Sequence, residues 1–471
     1  MLEGLEISEI RLSELERTRR MDAQFYSREN LLATNRLDIL GAKSITDFVA
    51  VSDGNHMGVS DKFVDDADGI PYYRGSDIYN LFIEQSSAPM RIDRGTFLTP
   101  QMTRSHLRKG DVLMSIVGAI IGNLSLVTQD GEAACSCKLA ILRPHAIRAE
   151  LLSVFLRSYF GQIQVQKFKR GAAQTGLILE DFDQLKIPDF SKKFELKIVS
   201  VVNAAFEATE ATTKILTKAE NLLLNALGIA SFSPPSEIAN IKSLSDSFVT
   251  TGRLDAEHYQ PKYEELYKAL AKKNRVFKLG DCLTFNQRGT QPDYAEAGLP
   301  VVNSKHVQRG HVNMIDNRFA AVSDNTNAAV IKQGDVLMNG TGVGTIGRAA
   351  PYLHAADALP DNHVTVLRTE ALSPICLALY LNSIAGQYQV DQHFKGSSGQ
   401  IELYPADIAN FWCPELDQSI QQQIDKLAQQ SFILKAKSEQ LLEAAKRAVE
   451  IAIEQDEAAG MAYLAIEGAL A

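Results

Sequence analysis

The chain has 471 residues, about three times the length of a typical domain, which excludes a single small fold and predicts two or three domains. Hydrophobic residues make up 45% of the chain and charged residues 22%, which excludes a disordered or collagen-like protein. The net charge of −9 has the opposite sign to that of a general nucleic-acid-binding protein, so any basic contact surface has to be local.

The location and the redox state follow from what the sequence lacks. No apolar stretch is long enough to span a bilayer, and the first residues alternate in charge where a signal peptide is apolar, so we expect a cytoplasmic protein that binds no membrane. The cysteines are too few and too scattered for a disulfide framework; they are Cys135, Cys137, Cys282, Cys376 and Cys413. Since no second Cys or His pair stands at zinc-finger spacing, we expect reduced thiols and no metal site.

The chain contains two copies of one unit. The segment GDVLM at Gly110–Met114 recurs identically at Gly334–Met338. Other segments recur in the same order: RMDAQFY at 20–26 as RLDAEHY at 253–259, GIPYY at 69–73 as GLPVV at 298–302, and GQIQV at 161–165 as GQYQV at 386–390. A period this long indicates a duplicated domain and not a solenoid.

Each copy begins with a predicted β-rich part and ends with a predicted helix. Short segments such as DVLMSI and AILRP, separated by Gly, Pro and Asp turns, are typical of strands. From Phe194 to about Leu227, and from Ile420 to about Ile453, turn residues are absent and apolar residues recur at three- and four-residue spacing. This pattern predicts two long amphipathic helices, each about 50 Å in length at 1.5 Å per residue.

We expect the two helices to pair antiparallel with pseudo-two-fold symmetry, because each can then bury the other's apolar stripe. The alternative is that each helix packs only on its own β-rich domain. The residues expected at the pairing face are Ile198, Val202, Phe206, Ile215, Leu222, Ile424, Phe432, Leu441 and Val449. The predicted fold class is therefore α+β, with two duplicated β-rich domains that are each followed by a long helix.

The domain boundaries follow from this pattern. Gly228 ends the first helix, and the segment SFSPPS at 231–236 leads into the second copy. The predicted segments are a first β-rich domain at 1–190, a central helical spacer at 191–229, a second β-rich domain at 237–416 and a C-terminal helical spacer at 417–457.

Catalytic signatures are missing from the sequence. The segment Gly342–Gly347 fits the dinucleotide pattern GxGxxG, but Gly118–Gly122 in the other copy does not, and a tight turn between strands explains both better. The sequence has no phosphate-binding GxxxxGK[ST] loop, no GxSxG elbow and no HExxH helix. The signature with which amino-methyltransferases hold a target base is also missing. We therefore expect the chain to catalyse no reaction by itself.

Each copy contains the same elements in the same order: RxDAxxY, GxP, GDVLM with trailing glycines, a Gly-rich loop with Gln, a Pro-terminated strand and a long helix. This duplicated order resembles the specificity (S) subunit of type I restriction-modification enzymes over essentially the whole chain. The resemblance implies that the β-rich parts are target recognition domains, each reading one half of a bipartite site in double-stranded DNA. It implies that the helices set their spacing and dock two methyltransferase subunits, which a restriction and translocase subunit joins. S-adenosylmethionine is expected on the methyltransferase, and no cofactor on this chain.

Two kinds of residue are candidate DNA contacts. The first are polar or basic residues at positions where the surrounding sequence matches between the copies and the side chain differs, and the second are residues in basic clusters. In the first copy they are Tyr73, Arg74, Ser76, Arg104, Ser115, Lys169, Arg170 and Gln174. In the second copy they are Asn303, Lys305, Arg309, Asn339, Thr341, Lys395, Ser397 and Gln400. Each cluster taken alone would also fit an ordinary solvated loop.

Two other functions stay open at this point. One is a stand-alone DNA methyltransferase or nuclease, which the missing cofactor and metal motifs disfavour. The other is a duplicated scaffold or adaptor that binds only protein. Acidity is concentrated at the C-terminal end, where ten acidic and five basic residues follow from Glu415 onward, so a protein partner is expected there.

Overall fold

The computed structural model describes residues 7–15, 20–65, 68–83, 90–171, 175–236, 239–321, 329–396, 399 and 401–470. The chain divides into two compact units. Unit 1 comprises Met1–Glu210 and Leu434–Ala471, and unit 2 comprises Ala211–Ile433. Each unit thus contains one β-rich part and a portion of both long helices. The division into recognition domains at 1–190 and 237–416 and helical spacers at 191–229 and 417–457 stays a prediction.

The α-helices differ widely in length. In chain order they are α1 (Arg28–Ile39), α2 (Arg94–Phe97), α3 (Ala149–Arg157), α4 (Tyr159–Phe168), α5 (Lys192–Leu227), α6 (Pro261–Lys273), α7 (Pro374–Asn382), α8 (Ile384–His393), α9 (Pro405–Ala409), α10 (Gln418–Glu454) and α11 (Glu457–Leu470). Within the described ranges, none of these helices contains a run of apolar residues that could cross a membrane.

The β-strands are short. They are β1 (Lys43–Ser44), β2 (Val49–Asp53), β3 (Phe63–Val64), β4 (Ile70–Tyr73), β5 (Met90–Ile92), β6 (Val112–Ser115), β7 (Leu124–Leu126), β8 (Ala134–Cys135), β9 (Leu139–Pro144), β10 (Lys186–Ile187), β11 (Val276–Lys278), β12 (Leu283–Arg288), β13 (Tyr294–Ala295), β14 (Leu299–Val302), β15 (Val307–Gln308), β16 (His311–Val312), β17 (Phe319–Ala320), β18 (Val336–Asn339), β19 (Ala349–Pro351), β20 (Leu359–Pro360), β21 (Val364–Thr369) and β22 (Trp412–Pro414).

The two units repeat the same sheet topology. Unit 1 has one four-stranded sheet in the order β2-β9-β6-β7 and another in the order β3-β5-β4-β8, and unit 2 repeats them as β12-β21-β18-β19 and β13-β17-β14-β20. In both units the first of these sheets is antiparallel, and the last pair of the second sheet is parallel. Unit 2 adds the hairpin of β15 and β16. The duplication seen in the sequence is therefore a duplication of fold.

The repeated GDVLM segment forms an inner strand of each main sheet. All residues of β6 and of β18 are buried. Their apolar side chains point alternately to opposite faces, and both faces are covered by other parts of the same unit. A strand buried on both faces is continuously apolar, which explains why this segment is the same in both copies.

The two long helices pair antiparallel, as predicted. In unit 1 the Thr209 hydroxyl lies 2.8 Å from the Ser438 hydroxyl, and in unit 2 the Thr212 hydroxyl donates to the backbone oxygen of Ser431 at 3.4 Å. From the first of these contacts to the second, the residue number rises in α5 and falls in α10, so the two helices run in opposite directions. The helix α5 ends at Gly228, whose φ of +75° favours glycine.

The pairing-face residues lie in two hydrophobic cores. Ile198, Val202, Leu441 and Val449 are buried in the core of unit 1, and Phe206 packs against it. Ile424 is buried in the core of unit 2, with Leu222 and Phe432 packed against it, and Ile215 is half-buried. The long helices also contact the β-rich parts, but their pairing contradicts the alternative that each helix packs only on its own β-rich domain.

The β-rich parts contain helices that the sequence pattern did not predict. Among them, α3 and α4 follow β9, and α7 and α8 follow β21 at the same place in the second copy. A long-helix residue binds the start of the first helix of each pair: Glu195 accepts from the Arg148 backbone N–H at 2.8 Å, and Gln421 accepts from the Ser373 N–H at 2.8 Å. These bonds satisfy a backbone donor at each helix start and anchor the long helices on the β-rich parts.

Candidate nucleic-acid interface

In unit 1, several loops meet at one end of the main sheet. We call this surface the loop end of unit 1, and its described residues are 53–57, 73–77, 115–122, 136–138, 170–171 and 175–177. Backbone hydrogen bonds join the loops, since Ile116 N donates to Lys138 O at 3.1 Å and Gly118 N donates to Thr175 O at 2.9 Å. Because main-chain atoms connect the loops, their side chains can vary without loss of the frame.

Unit 2 builds the same surface. The loop end of unit 2 comprises the described residues of 288–290, 302–307, 339–347, 361–363, 395–396 and 401–404. Gly340 N donates to His363 O at 2.8 Å, and Leu403 N donates to Gly340 O at 2.8 Å. The loop that follows GDVLM is therefore held between the same two neighbours in both units.

The glycines after GDVLM form a tight turn. Gly118 and Gly122 have φ of +85° and +93°, and Gly342 and Gly347 have φ of +90° and +78°. This backbone region is strained for other residue types. The turn leads from β18 into β19, so the GxGxxG segment connects two strands, as predicted from the sequence.

The glutamines of the repeated GQxQV segments hold this turn and a neighbouring strand. The first glutamine donates to the turn, from Gln162 Nε2 to Gly122 O at 3.0 Å and from Gln387 Nε2 to Gly347 O at 3.1 Å. The second glutamine binds the strand before the long helix; in unit 1, Gln164 Nε2 donates to Lys186 O at 3.0 Å. These repeated residues position the loop end and do not themselves form its surface.

The repeated RxD segments tie the start of each copy to the loop end. Arg20 pairs with Asp22 at 2.8 Å and donates to Lys167 O, next to the basic loop of unit 1. In unit 2, Arg253 pairs with Asp255 at 2.6 Å and donates to the backbone oxygens of His393 and Phe394 at the end of α8. The first motif of each copy thus has a structural role, because its arginine fixes the start of the copy next to the basic loop.

His393, at the end of α8, makes folding sensitive to acid. Burial lowers the pKa of this imidazole to about 4, and its Nδ1 lies 2.9 Å from Gln389 O. The unfolded chain takes up a proton near pH 6.5 while the folded chain does not, so stability is lost as the pH falls below about 6.5. Between pH 7 and 4.5, we expect the wild type to lose about 2 to 3 kcal/mol more than His393→Gln in urea titrations. Equal losses would contradict this assignment.

The aspartate of GDVLM is also structural. Asp111 is buried and binds Arg143 with both carboxylate oxygens, at 2.7 Å each, and Asp335 binds Arg368 in the same way at 2.6 and 2.8 Å. Each aspartate also accepts a hydrogen bond from a backbone N–H three residues earlier. The hydrogen bond to Asp111 raises the pKa of the Arg143 guanidinium above its ordinary value.

Most predicted DNA contacts of unit 1 reach the loop end. Arg74 is paired with Asp77 at 3.2 Å, and the Ser76 hydroxyl donates to the same carboxylate at 3.1 Å. Arg104 reaches this surface through its ion pair with Asp53. The remaining basic pair lies at the end of α4, where Lys169 is half-buried and Arg170 is paired with the buried Asp181.

Four predicted contacts of unit 2 lie at its loop end, namely Asn303, Lys305, Thr341 and Lys395. Lys305 is exposed and Asn303 is half-buried in the loop after β14, and the Thr341 hydroxyl lies 2.9 Å from His363 Nδ1. Lys395 is paired with Asp407 at 2.7 Å, the counterpart of the Arg170–Asp181 pair. Arg309 is outside the loop end and donates to Asn382 O at 3.2 Å and to Gln387 Oε1 at 3.0 Å.

Ser115 and Asn339 do not reach the surface. Both are fully buried at the ends of β6 and β18, because these strands are covered on both faces, so we exclude them from the proposed contact surface. Tyr73 is half-buried, and burial raises the pKa of its hydroxyl. Gln174, Ser397 and Gln400 lie outside the described residues.

The structure adds polar side chains that the sequence pattern did not single out. Lys138 and His56 are exposed at the loop end of unit 1. In unit 2, Arg288 Nε donates to Asn362 O at 2.6 Å, and its Nη1 lies 3.6 Å from a Glu402 oxygen. Lys138 and His363 correspond to each other just before β9 and β21 and differ between the copies, so this signal was available in the sequence.

Basic groups at the loop ends are partnered by carboxylates. The side chains of Arg74, Arg104 and Lys395 are 45%, 50% and 53% exposed, and each is paired with an aspartate. The aspartate partners are only 14%, 11% and 12% exposed, so largely buried carboxylates hold these basic side chains at the surface, where the exposed side of each cation can face a phosphate. Among the described residues, no group of three or more His, Cys, Asp or Glu could hold a metal ion.

Comparisons with known proteins give structural matches only. No family model and no curated protein matches the sequence. The chain is similar to the S subunit of a type I restriction-modification system from M. genitalium, with 13% identity, 88% of this chain and 94% of that chain covered, and a TM-score of 0.36. It is also similar to the HsdS subunit from Thermoanaerobacter tengcongensis, with 16% identity, 88% and 96% coverage, and a TM-score of 0.29.

A third structure belongs to a study of assembly and conformational transition in a type I restriction-modification system. It has 17% identity, covers 88% of this chain and 97% of its own, and gives a TM-score of 0.30. Each of these three structures is matched over 88% of this chain.

Proposed function

We propose that the chain is the DNA-recognition subunit of a type I restriction-modification complex, in which the loop end of each unit reads one half of a bipartite site. The observation that carries this proposal is that one main-chain frame occurs twice with different exposed or half-buried polar side chains. Arg74 corresponds to Asn303, and Lys138 corresponds to His363. Bases are distinguished by such donors and acceptors, so two frames with different side chains suit two different half-sites.

The charge distribution is compatible with this role despite the net charge of −9. The cations at the loop ends are local, and largely buried carboxylates hold several of them in place. Each cation that contacts a DNA phosphate releases a counterion from the DNA, which favours binding at low salt.

We further propose that the two long helices dock two methyltransferase subunits and that a restriction and translocase subunit joins them. Each compact unit contains a portion of both helices, which offers two comparable surfaces to two copies of one partner. In unit 2, Leu216 and Ile433 on these helices are 40% and 70% exposed, as apolar partner contacts would be. The methyltransferase would bind S-adenosylmethionine, and the present chain would catalyse nothing.

The test uses the purified chain and the same chain with the methyltransferase that co-purifies from its own cells. We expect the complex to bind a long mixed-sequence duplex with an affinity that falls as salt rises, and methyl transfer to occur only when the methyltransferase is present. Methyl transfer by the pure chain would contradict the proposal. Binding of the partner without binding of DNA would favour the adaptor alternative.

Neutralising the basic loop should weaken DNA binding. In Arg170→Gln and Lys395→Gln the side chain can still donate to Asp181 or Asp407, but it cannot neutralise a phosphate. We expect lower affinity and a salt slope reduced by about one in each variant, measured by fluorescence anisotropy of a labelled duplex. The control is Lys43→Gln, which removes a lysine of similar exposure to Lys395, at 52%, outside the loop end; its partner Asp189 is 59% exposed.

Unchanged affinity and slope in both basic-loop variants would show that these loops do not contact DNA. A loss in the Lys43→Gln control equal to that in the variants would show that net charge alone is responsible.

A further inference from the structure

The buried Asn339 supports the loop that carries the exposed Lys305. Its Nδ2 donates to Ser304 O at 3.0 Å and to Val307 O at 3.3 Å. Asn339 is 0% exposed, so these bonds are shielded from water. One side-chain amide thus holds both ends of a four-residue segment of the loop end of unit 2.

A buried histidine holds the same loop from within. His306 is 2% exposed, and its Nδ1 accepts from Asn303 N at 3.0 Å. Asn303 Oδ1 in turn accepts from Lys305 N at 3.1 Å. The conformation of the segment from 303 to 307 therefore depends on polar contacts beneath it as well as on its own sequence.

Unit 1 supports the corresponding loop differently. Ser115 occupies the position of Asn339, and a Cβ placed on Gly75 would lie 3.4 Å from the Ser115 hydroxyl oxygen and 3.3 Å from Ile120 Cδ1. The loop of unit 1 thus lies directly on the small serine, and its counterpart in unit 2 is held by the longer amide. The Ser115 hydroxyl has no hydrogen-bond partner within the described part of the chain.

We propose that this buried position, Ser115 in unit 1 and Asn339 in unit 2, is a specificity-determining positioning site. Its side chain sets the placement of the adjacent loop, and the loop presents the side chains that read bases. The inference rests on the proposed function and adds that a residue without DNA contact selects among half-sites. The buried residue and the loop residue above it differ together, as Ser115 with Gly75 and Asn339 with Ser304.

The direct structural consequence can be measured without DNA. A serine at position 339 is too short to reach both carbonyl groups, which leaves the backbone oxygens of Ser304 and Val307 unpaired. We expect faster amide hydrogen exchange in residues 303–309 of Asn339→Ser, with the loop end of unit 1 unchanged. The matched control is Asn274→Ser, since Asn274 Nδ2 also binds two backbone oxygens in unit 2, at 3.0 and 3.4 Å, but at the end of α6.

Sequence preference is then measured by selection from a randomised duplex library. The full chain is used together with the methyltransferase that co-purifies with it. For Asn339→Ser, we expect the preference at one or two base positions of a single half-site to change by about tenfold, because a misplaced side chain loses a base contact. The other half-site should be selected as in the wild type, and Asn274→Ser should change the base preference at neither half-site.

Three outcomes separate the possibilities. Unchanged preference in Asn339→Ser, or an equal loss for all sequences, would overturn the inference, because a merely structural role lowers binding without changing base choice. A wild-type complex that selects no sequence would instead overturn the proposed function. If Asn339→Ser does not fold, Asn339→Leu fills a similar volume without donating and is expected to give the same one-sided change.

Discussion

Inserting four residues into each long helix is expected to keep the recognition of both half-sites and to lengthen the gap between them by about two base pairs. The insertions are placed at the boundary between the units, after Glu210 in α5 and after Ile433 in α10. Four residues add about 6 Å of helix, and each base-pair step is about 3.4 Å. They also turn the helix by about 400°, which returns its face to within about 40° of the original direction.

Placing both insertions at the unit boundary preserves the contacts within each unit. Thr209 and Ser438 remain together in unit 1, and Thr212 and Ser431 remain together in unit 2. The control inserts two residues at each place, which turns the helix by about 200° and should abolish binding to a bipartite site while both units stay folded. An unchanged gap in the four-residue variant would show that the helices do not set the spacing.

Arg368→Met is expected to lower the free energy of unfolding by about 3 to 5 kcal/mol, the largest effect of a single substitution that we predict. Asp335 is 1% exposed and receives two hydrogen bonds from Arg368. Methionine replaces the packing of the side chain but leaves this carboxylate buried without its counter-charge. Urea titration of the full chain gives the difference.

The control for this experiment is Lys268→Met, which removes an exposed ion pair with Glu265 on α6. A pair of this kind contributes about 0.3 to 0.5 kcal/mol. A loss in Arg368→Met no larger than in the control would show that Asp335 finds other partners and that the aspartate of GDVLM is dispensable for folding.

The parts of the fold with regular patterns could be predicted from the sequence. The long helices run from Lys192 to Leu227 and from Gln418 to Glu454, within two residues of the predicted bounds. Helix α7 could not be found in this way, because six of its nine residues are buried and its apolar residues form no single stripe. Its place in the fold depends on contacts with distant parts of the chain.

Two features of the candidate site could not be predicted from the sequence. Comparison of the two copies finds positions that differ, and both Ser115 and Asn339 are such positions. It cannot show that their side chains point inward, because the strands that end there are buried on both faces. The carboxylate partners of the basic residues could not be predicted from the sequence either, because Asp181 and Asp407 lie 11 and 12 residues from Arg170 and Lys395.

We propose that two loop ends in one chain read two separate parts of one DNA site. Selection from a randomised duplex library with the wild-type complex, followed by sequencing of the bound fraction, tests it most directly. We expect two short groups of specified bases separated by an unspecified gap of constant length. A single uninterrupted sequence, or no enriched sequence, would contradict it.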